Sequence, residues 1–239
     1  LRPDYNNIAG AVAINETLRQ ATLPNAALKP ERATKYYAGF QYYFQPSAVF
    51  SVGGYALPVK DKQLSGISVP GEQAGSYATD PQYAGYSFFS AINNPGLSRT
   101  TGIEIEYNQR LSFLPGILSG ATVFANMTRV ITDRVTTGVV PKAVNAGVGY
   151  KYKRFDAQLR ANWTAARITS LGALETVWNA ERTALDLTAS YSLRQGMQLF
   201  VSGRNITRTP WTYYSNEPGR GTQLNRFGSQ WNIGIKGAL

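Results

Sequence analysis

Apolar and polar residues alternate with period two over nine stretches, the mark of β-strands with one apolar and one polar face. The cleanest is 101–111, where Ile103, Ile105, Tyr107 and Leu111 share one face and Glu104, Glu106, Asn108 and Arg110 the other. At 34–44, Tyr36, Ala38, Phe40, Tyr42 and Phe44 form an apolar face, and the strand runs into Gln45-Pro46-Ser47, a turn composition. The other strands predicted in this way are 48–57, 119–130, 143–152, 157–166, 183–193, 197–206 and 228–239. Their polar faces carry Asn, Thr, Ser, Gln and Gly, with few charges.

The connections predict an architecture. After the first strand comes a short turn, then a long segment, and short and long connections are expected to alternate strictly from there. The long ones are 58–99, 131–140, 167–182 and 207–226. Transmembrane β-barrels have short periplasmic turns and longer extracellular loops, and strands of about ten residues cross a bilayer at a tilt. A soluble β-sandwich has strands nearer five or six residues and no such order of loops. The fold class expected is therefore all-β, a segment of an antiparallel transmembrane β-barrel. The first and ninth strands run downward and the C-terminus is periplasmic. Residues 1–32 read as an extracellular loop with, at most, the end of one preceding strand, and a short helix near Asn15 to Arg19. Residues 33–239 read as barrel. The segment 58–99 reads as a loop without structure of its own.

Composition narrows the chemistry. The 239 residues include no Cys and no His, which removes disulfides, thiol nucleophiles, imidazole bases and the usual zinc sites. No apolar run is long enough for a transmembrane helix, and barrel strands escape that test. The net charge of +10 raises nucleic-acid binding, but Lys and Arg are scattered singly rather than clustered. A polar barrel lining, with loops facing anionic lipopolysaccharide, accounts for it instead. Asn-x-Thr triplets begin at Asn15, Asn126, Asn162 and Asn205. In two of them Asn126 with Thr128, and Asn162 with Thr164, simply fill successive positions on the polar face.

Five motifs in order carry a resemblance. They are Asn25-Ala-Ala-Leu28-Lys29-Pro30-Glu31 ahead of a strand closing on Tyr42-Tyr43-Phe44, Gly102-Ile103-Glu104-Ile105-Glu106, Pro141 at a loop exit, Leu185 to Tyr191 (LDLTASY), and Asn205-Ile206-Thr207 followed by Trp211. Across roughly residues 25 to 239 the chain resembles the late barrel of TonB-dependent outer-membrane receptors. The resemblance implies about nine to ten C-terminal strands of a 22-stranded barrel. The plug domain and TonB box that precede the barrel in this family are expected to lie outside this sequence. The last strand resembles the signal read by the barrel-assembly machinery at Asn232 and Gly234; Leu239 and Gly237 stand where that signal has aromatic residues.

The function implied is TonB-driven active uptake of a scarce ligand across the bacterial outer membrane, a ferric siderophore being the commonest class. The alternative is a passive pore or structural barrel without TonB coupling. An outer-membrane hydrolase would need a histidine base. The expected partners are lipid and lipopolysaccharide, the TonB complex, the barrel-assembly machinery and a small-molecule ligand; no cofactor, metal or nucleic acid is expected. Aromatic and basic residues on long loops are the candidate ligand contacts: Tyr83, Tyr86, Trp178, Trp211, Tyr213, Tyr214 and Arg220, with Arg160 and Arg204 in the lumen. For the aromatics the competing roles are girdle or loop packing; for the arginines, ion pairing with Glu104, Glu106 or Asp186.

Overall fold

The computed structural model describes residues 2–172, 175–194 and 196–237. Along the chain, helix α1 (Tyr5–Ala9) precedes β1 (Ala13–Asn15), β2 (Gln20–Leu23) and β3 (Arg32–Ala33). Then come β4 (Tyr36–Phe44), β5 (Ala48–Lys60), β6 (Gln63–Ser68), helix α2 (Ser76–Thr79), β7 (Ser87–Asn93) and β8 (Ser98–Arg110). They are followed by β9 (Ala121–Thr132), β10 (Lys142–Tyr152), β11 (Phe155–Thr164), β12 (Arg167–Leu171) and β13 (Thr176–Asn179). The last are β14 (Arg182–Arg194), β15 (Met197–Arg204), β16 (Trp211–Ser215), β17 (Gly221–Asn225) and β18 (Gln230–Gly237).

Ten strands make one sheet, ordered β18-β15-β14-β11-β10-β9-β8-β5-β3, with β4 also paired to β5. Arg32 lies opposite Lys60, so β3 and β4 share one edge of β5 and fill a single strand position. The wall thus has nine positions among the described residues, as the alternation predicts. The sheet does not close on itself.

Register shows why the alternation matters. Val123, Val148, Leu159, Leu187, Gly203 and Trp231 stand opposite one another in turn from β9 to β18. The next row toward the short turns is Ala121, Tyr150, Ala157, Ala189, Val201 and Ile233. Beyond it come Tyr152, Phe155, Tyr191, Leu199 and Ile235, an aromatic-rich rim. Between the apolar rows lie polar ones on the other face, such as Thr122, Gly149, Gln158, Thr188, Ser202 and Asn232.

The apolar face is the exposed one: Val148 is 52%, Ile235 63% and Ile233 75% exposed. Leaving one such side chain in water forfeits roughly 1–2 kcal/mol of transfer free energy. Over whole rows that cost is incompatible with a water-facing surface, and hydrocarbon removes it. No helix among the described residues is long and apolar enough to cross a membrane.

Two compact units are distinguishable, Leu1–Tyr36 with Ala56–Thr100, and Tyr37–Tyr55 with Thr101–Leu239. The first corrects two expectations. The short helix lies at Tyr5–Ala9, where Asp4 caps it by accepting from the Asn6 amide at 2.8 Å. Asn15 to Arg19 is instead the turn of the β1–β2 hairpin: the Asn15 side chain accepts from the Leu18 amide at 3.0 Å, and Arg19 has φ 49°. Second, 58–99 is not a structureless loop. It extends β5, starts β8, and supplies β6, α2 and β7 to a four-stranded sheet ordered β1-β2-β7-β6, in which β2 and β7 are parallel. Ala21, Leu23, Val69, Ala74 and Phe88 form its small core.

The second unit holds a further four-stranded sheet, β12-β13-β16-β17, built from two stretches expected to be plain loops. The strict short–long order also fails once. Residues 111–120 between β8 and β9 include a 3-10 turn at Gly116–Gly120 and run one residue longer than 133–141 between β9 and β10.

Candidate functional site

The Asn25 to Glu31 motif is a stitching element of the first unit. The Asn25 side chain donates to the Ala91 carbonyl at 2.9 Å and accepts from the Ala27 amide at 3.0 Å. Asn93 accepts from the Lys29 amide at 2.7 Å and returns a bond to the Lys29 carbonyl at 2.9 Å. The Glu31 carboxylate accepts from the Gln63 amide at 2.8 Å, and Leu28 is buried. Every polar position of the motif thus ties the segment entering the wall to β6 or β7.

Tyr83 and Tyr86 belong to this unit. With Tyr77 they make an aromatic cluster, with ring centroids 5.5 Å apart for Tyr77–Tyr83 and 5.4 Å for Tyr83–Tyr86, packed on the Phe88 core. Partial desolvation, with the Asp80 carboxylate second, holds the Tyr83 phenol above the ordinary tyrosine value. Both tyrosines are partly buried against that core.

The second unit gathers the tryptophans. Trp178 on β13 pairs with Tyr214 on β16, and their rings stack at 6.1 Å with 5° between planes. By register, Trp178, Tyr214, Thr212, Ile168 and Leu224 share one face of the small sheet. Arg167, Asn179, Trp211, Tyr213, Gln223 and Asn225 share the other. On that face the Arg167 guanidinium lies 5.6 Å and the Arg182 guanidinium 5.1 Å from the Trp211 ring. Arg182 is fixed by two bonds to the Thr209 carbonyl, at 3.3 and 3.2 Å. Arg220 stands exposed at the β16–β17 hairpin tip, where its backbone bonds Glu217 and Ser215.

Asn205 supports this face from below. Its φ is 50°, a conformation that Asn tolerates. Its side chain donates to the carbonyls of Thr209 at 3.1 Å and Gly228 at 3.0 Å, and accepts from the Thr209 amide at 3.0 Å. Asp186 accepts from the Asn205 amide and from Asn162, both at 2.8 Å.

Arg160 lies on the polar face in a concavity of about 620 Å³, lined also by Glu106, Asn108, Asn126, Lys151 and Gln158. It stands opposite Asp186 in register, yet bonds Gln158 at 3.0 Å and lies over Phe124 at 5.7 Å, while Asp186 is occupied by the two asparagines. Arg204 is exposed at the end of β15, opposite Gln230. In the assembly-signal region Asn232 faces Ser202, and Phe200 covers Gly234; Leu239 lies outside the described residues. Among the described residues no group of three acidic side chains is placed to hold a metal ion.

The structure brings Trp178, Trp211, Tyr213 and Tyr214 onto one small sheet and leaves Arg160, Arg204 and Arg220 apart. The sequence reading missed Arg167 and Arg182. The signal available was the run of β-branched and aromatic residues in Thr176-Val-Trp-Asn179 and Trp211-Thr-Tyr-Tyr-Ser215, inside stretches treated as loops.

Comparison with known proteins now fixes the class. Residues 1–206 match the family described as TonB dependent receptor-like, beta-barrel. The chain belongs to the TonB-dependent receptor family, as part of the β-barrel. Among solved structures, the copper transporter OprC superposes with TM-score 0.64 at 16% identity, over 99% of this chain and 35% of that one. A mutant of the ferric enterobactin receptor PfeA from Pseudomonas aeruginosa gives 0.62 at 13%, over 91% and 32%. The unliganded ferric citrate transporter FecA gives 0.58 at 14%, over 87% and 31%. The chain spans about a third of the length of these structures. No curated sequence matches it.

Proposed function

We propose that this chain forms wall and ligand-facing loops of a receptor that takes up a ferric siderophore across the outer membrane, driven by the TonB complex. In this proposal residues 33–239 are barrel and 1–32 an extracellular loop. The long connections face the outside, the short turns and the β18 end face the periplasm, and the barrel-assembly machinery inserts the wall.

The observation that carries the proposal is Trp211 flanked by Arg167 and Arg182. Two guanidinium groups gathered within 6 Å of one indole concentrate positive charge at an aromatic side chain, which suits an anionic iron chelate. Tyr213, on the same face of the small sheet as Trp211, widens the aromatic surface. Similar structures include receptors named for ferric enterobactin, ferric citrate and ferripyoverdine, and also a copper transporter.

The test is uptake of radio-iron by iron-starved cells carrying the full-length receptor, with and without TonB. Ferric catecholate, ferric hydroxamate, ferric citrate and copper are offered separately. TonB-dependent uptake of one ferric chelate supports the proposal. Copper uptake alone would change the cargo. Passage that ignores TonB and falls off with solute size would make the barrel a passive pore.

A further inference from the structure

Strand β14 begins and ends on an arginine, Arg182 and Arg194, and both share the parity of Asp186, Thr188, Ser190 and Ser192 on its polar face. At about 3.3 Å per residue the two stand roughly 40 Å apart, one at each end of the wall. Arg182 is at Trp211, among the long connections. Arg194 is at the short-turn end, where it lines a concavity of about 500 Å³ together with Ser192, Gln198 and Lys236. Lys236 stands opposite Gln198 and alternates along β18 with the outward Ile235. Arg194 and Lys236 are both exposed.

Charge at this concavity is unbalanced. Strands β15 and β18 carry no Asp or Glu. Strand β14 carries only Asp186, which accepts from the Asn162 side chain and the Asn205 amide. On β11, Asp156 stands opposite Ser190 and lies 4.0 Å from Lys151. Arg154 adds a third cation, its guanidinium donating to the Leu193 carbonyl at 3.1 Å, beside Arg194. The Arg194 Nε donates to the Met197 sulfur at 2.9 Å. Neither Arg194 nor Lys236 forms an ion pair among the described residues. Cations gathered in a wet concavity attract an anion from the space before them. Water and salt keep that attraction weak. Weakness suits a passing solute, which tight binding would hold back.

We propose that Arg194 and Lys236 form an exit site, at which an anionic chelate leaves the polar side of the wall. The site rests on the uptake of an anionic chelate proposed above. It extends that reading from capture at Trp211 to release at the far end of β14. Arg194 supplies a planar fork for carboxylate or catecholate oxygens and Lys236 a mobile point charge. The selection is by sign: an anion is drawn to this end and a free metal cation is repelled.

The test uses iron-starved cells carrying the full-length receptor, with radio-iron as ferric citrate and as a ferric catecholate. Surface affinity is read in cells without TonB, and the maximal uptake rate in cells with it. The double variant Arg194→Gln with Lys236→Gln is expected to keep the affinity and to lose at least roughly threefold in rate. The charge-conserving pair Arg194→Lys with Lys236→Arg is expected to keep both. An unchanged rate in the double variant would overturn the exit site. So would a loss of rate that the charge-conserving pair shares, which would make the role one of packing. Entry of erythromycin into cells of the double variant without TonB would assign the two cations to keeping the lumen closed, and would overturn the site as well. Should the double variant fail to assemble, Lys236→Gln alone decides by the same two readings. Wild type that takes up neither chelate would refute the cargo reading, and the exit site with it. That outcome is read in wild type alone, so the two failures are distinct.

Discussion

Phe124 lies flat against the space where Gly147, its direct neighbour across β9 and β10, has no side chain. A Cβ on Gly147 would stand 2.5 Å from the Phe124 ring and would overlap the Leu159 carbonyl oxygen. The Arg160 guanidinium covers the same ring at 5.7 Å. The pattern recurs where Tyr37 covers Gly53, Tyr55 covers Gly102, and Trp231 covers Gly203. Aromatic rings laid over glycines fix the register of neighbouring strands.

Gly147→Ala is therefore expected to destabilise the barrel by about 1–3 kcal/mol, the usual cost of overpacking. Gly149→Ala, whose nearest neighbour would be 3.7 Å away, is expected to stay within about 0.5 kcal/mol of wild type. Urea unfolding of the refolded receptor checks both; equal effects would contradict the packing account.

The face assignment makes a second prediction. Val148→Arg or Ile105→Arg should block assembly, because a charge at mid-depth on the lipid face costs roughly 2–4 kcal/mol. Asn108→Arg, on the polar face, should assemble normally. Heat-dependent mobility on gels separates folded from unfolded barrels, and an equal loss for all three would refute the assignment.

Asn205→Ala removes three side-chain hydrogen bonds and places a Cβ residue without polar atoms at φ 50°. At about 1 kcal/mol per bond, with strain added, the loss is about 3–4 kcal/mol. Asn205→Gly keeps the conformation and should lose less. A thermal melt with Gly as unstable as Ala would show that conformation plays no part.

If the proposed ferric chelate binds at Trp211, Arg167→Gln and Arg182→Gln should each weaken its binding, and the binding of wild type should weaken as salt rises. Arg220→Gln, at an exposed tip, should do less. Fluorescence quenching of Trp211 by the ligand reads this directly. Unchanged affinity in both arginine variants would remove Trp211 from the site.

Tyr83 links the first unit to pH. Its phenol is held above its ordinary value, so the folded state favours the neutral form. The contribution is complete below the ordinary tyrosine value of about 10 and is lost as pH rises through the raised one. Near-UV dichroism of the tyrosines should therefore decay at alkaline pH, and Tyr83→Phe should move that decay upward. No shift on substitution would mean that Tyr83 does not gate the unit.

The wall was legible because one face meets lipid and the other water, which forces period two on every strand. Val123, Val148 and Leu159 could be placed on one face from sequence alone. The small sheets were not legible, because they rest on weaker alternation between turn residues. Leu64, Ile67 and Phe88 lie in a segment where Gly66, Gly71 and four prolines dominate the eye. The cation–π pairs at Trp211 escaped for another reason: Arg167 and Arg182 are brought to it by tertiary pairing, and no sequence spacing encodes it.

The central claim is that one face of this sheet meets hydrocarbon and the other meets water. The chain contains no cysteine, so Val144→Cys, Asn145→Cys, Ala146→Cys, Val148→Cys and Gly149→Cys each place a single nitroxide site in it, with any cysteine elsewhere in the full-length receptor replaced by serine. Collision with oxygen, which concentrates in lipid, should be high at 144, 146 and 148. Collision with a water-soluble nickel complex should be high at 145 and 149. A flat profile, or the opposite alternation, would contradict the account.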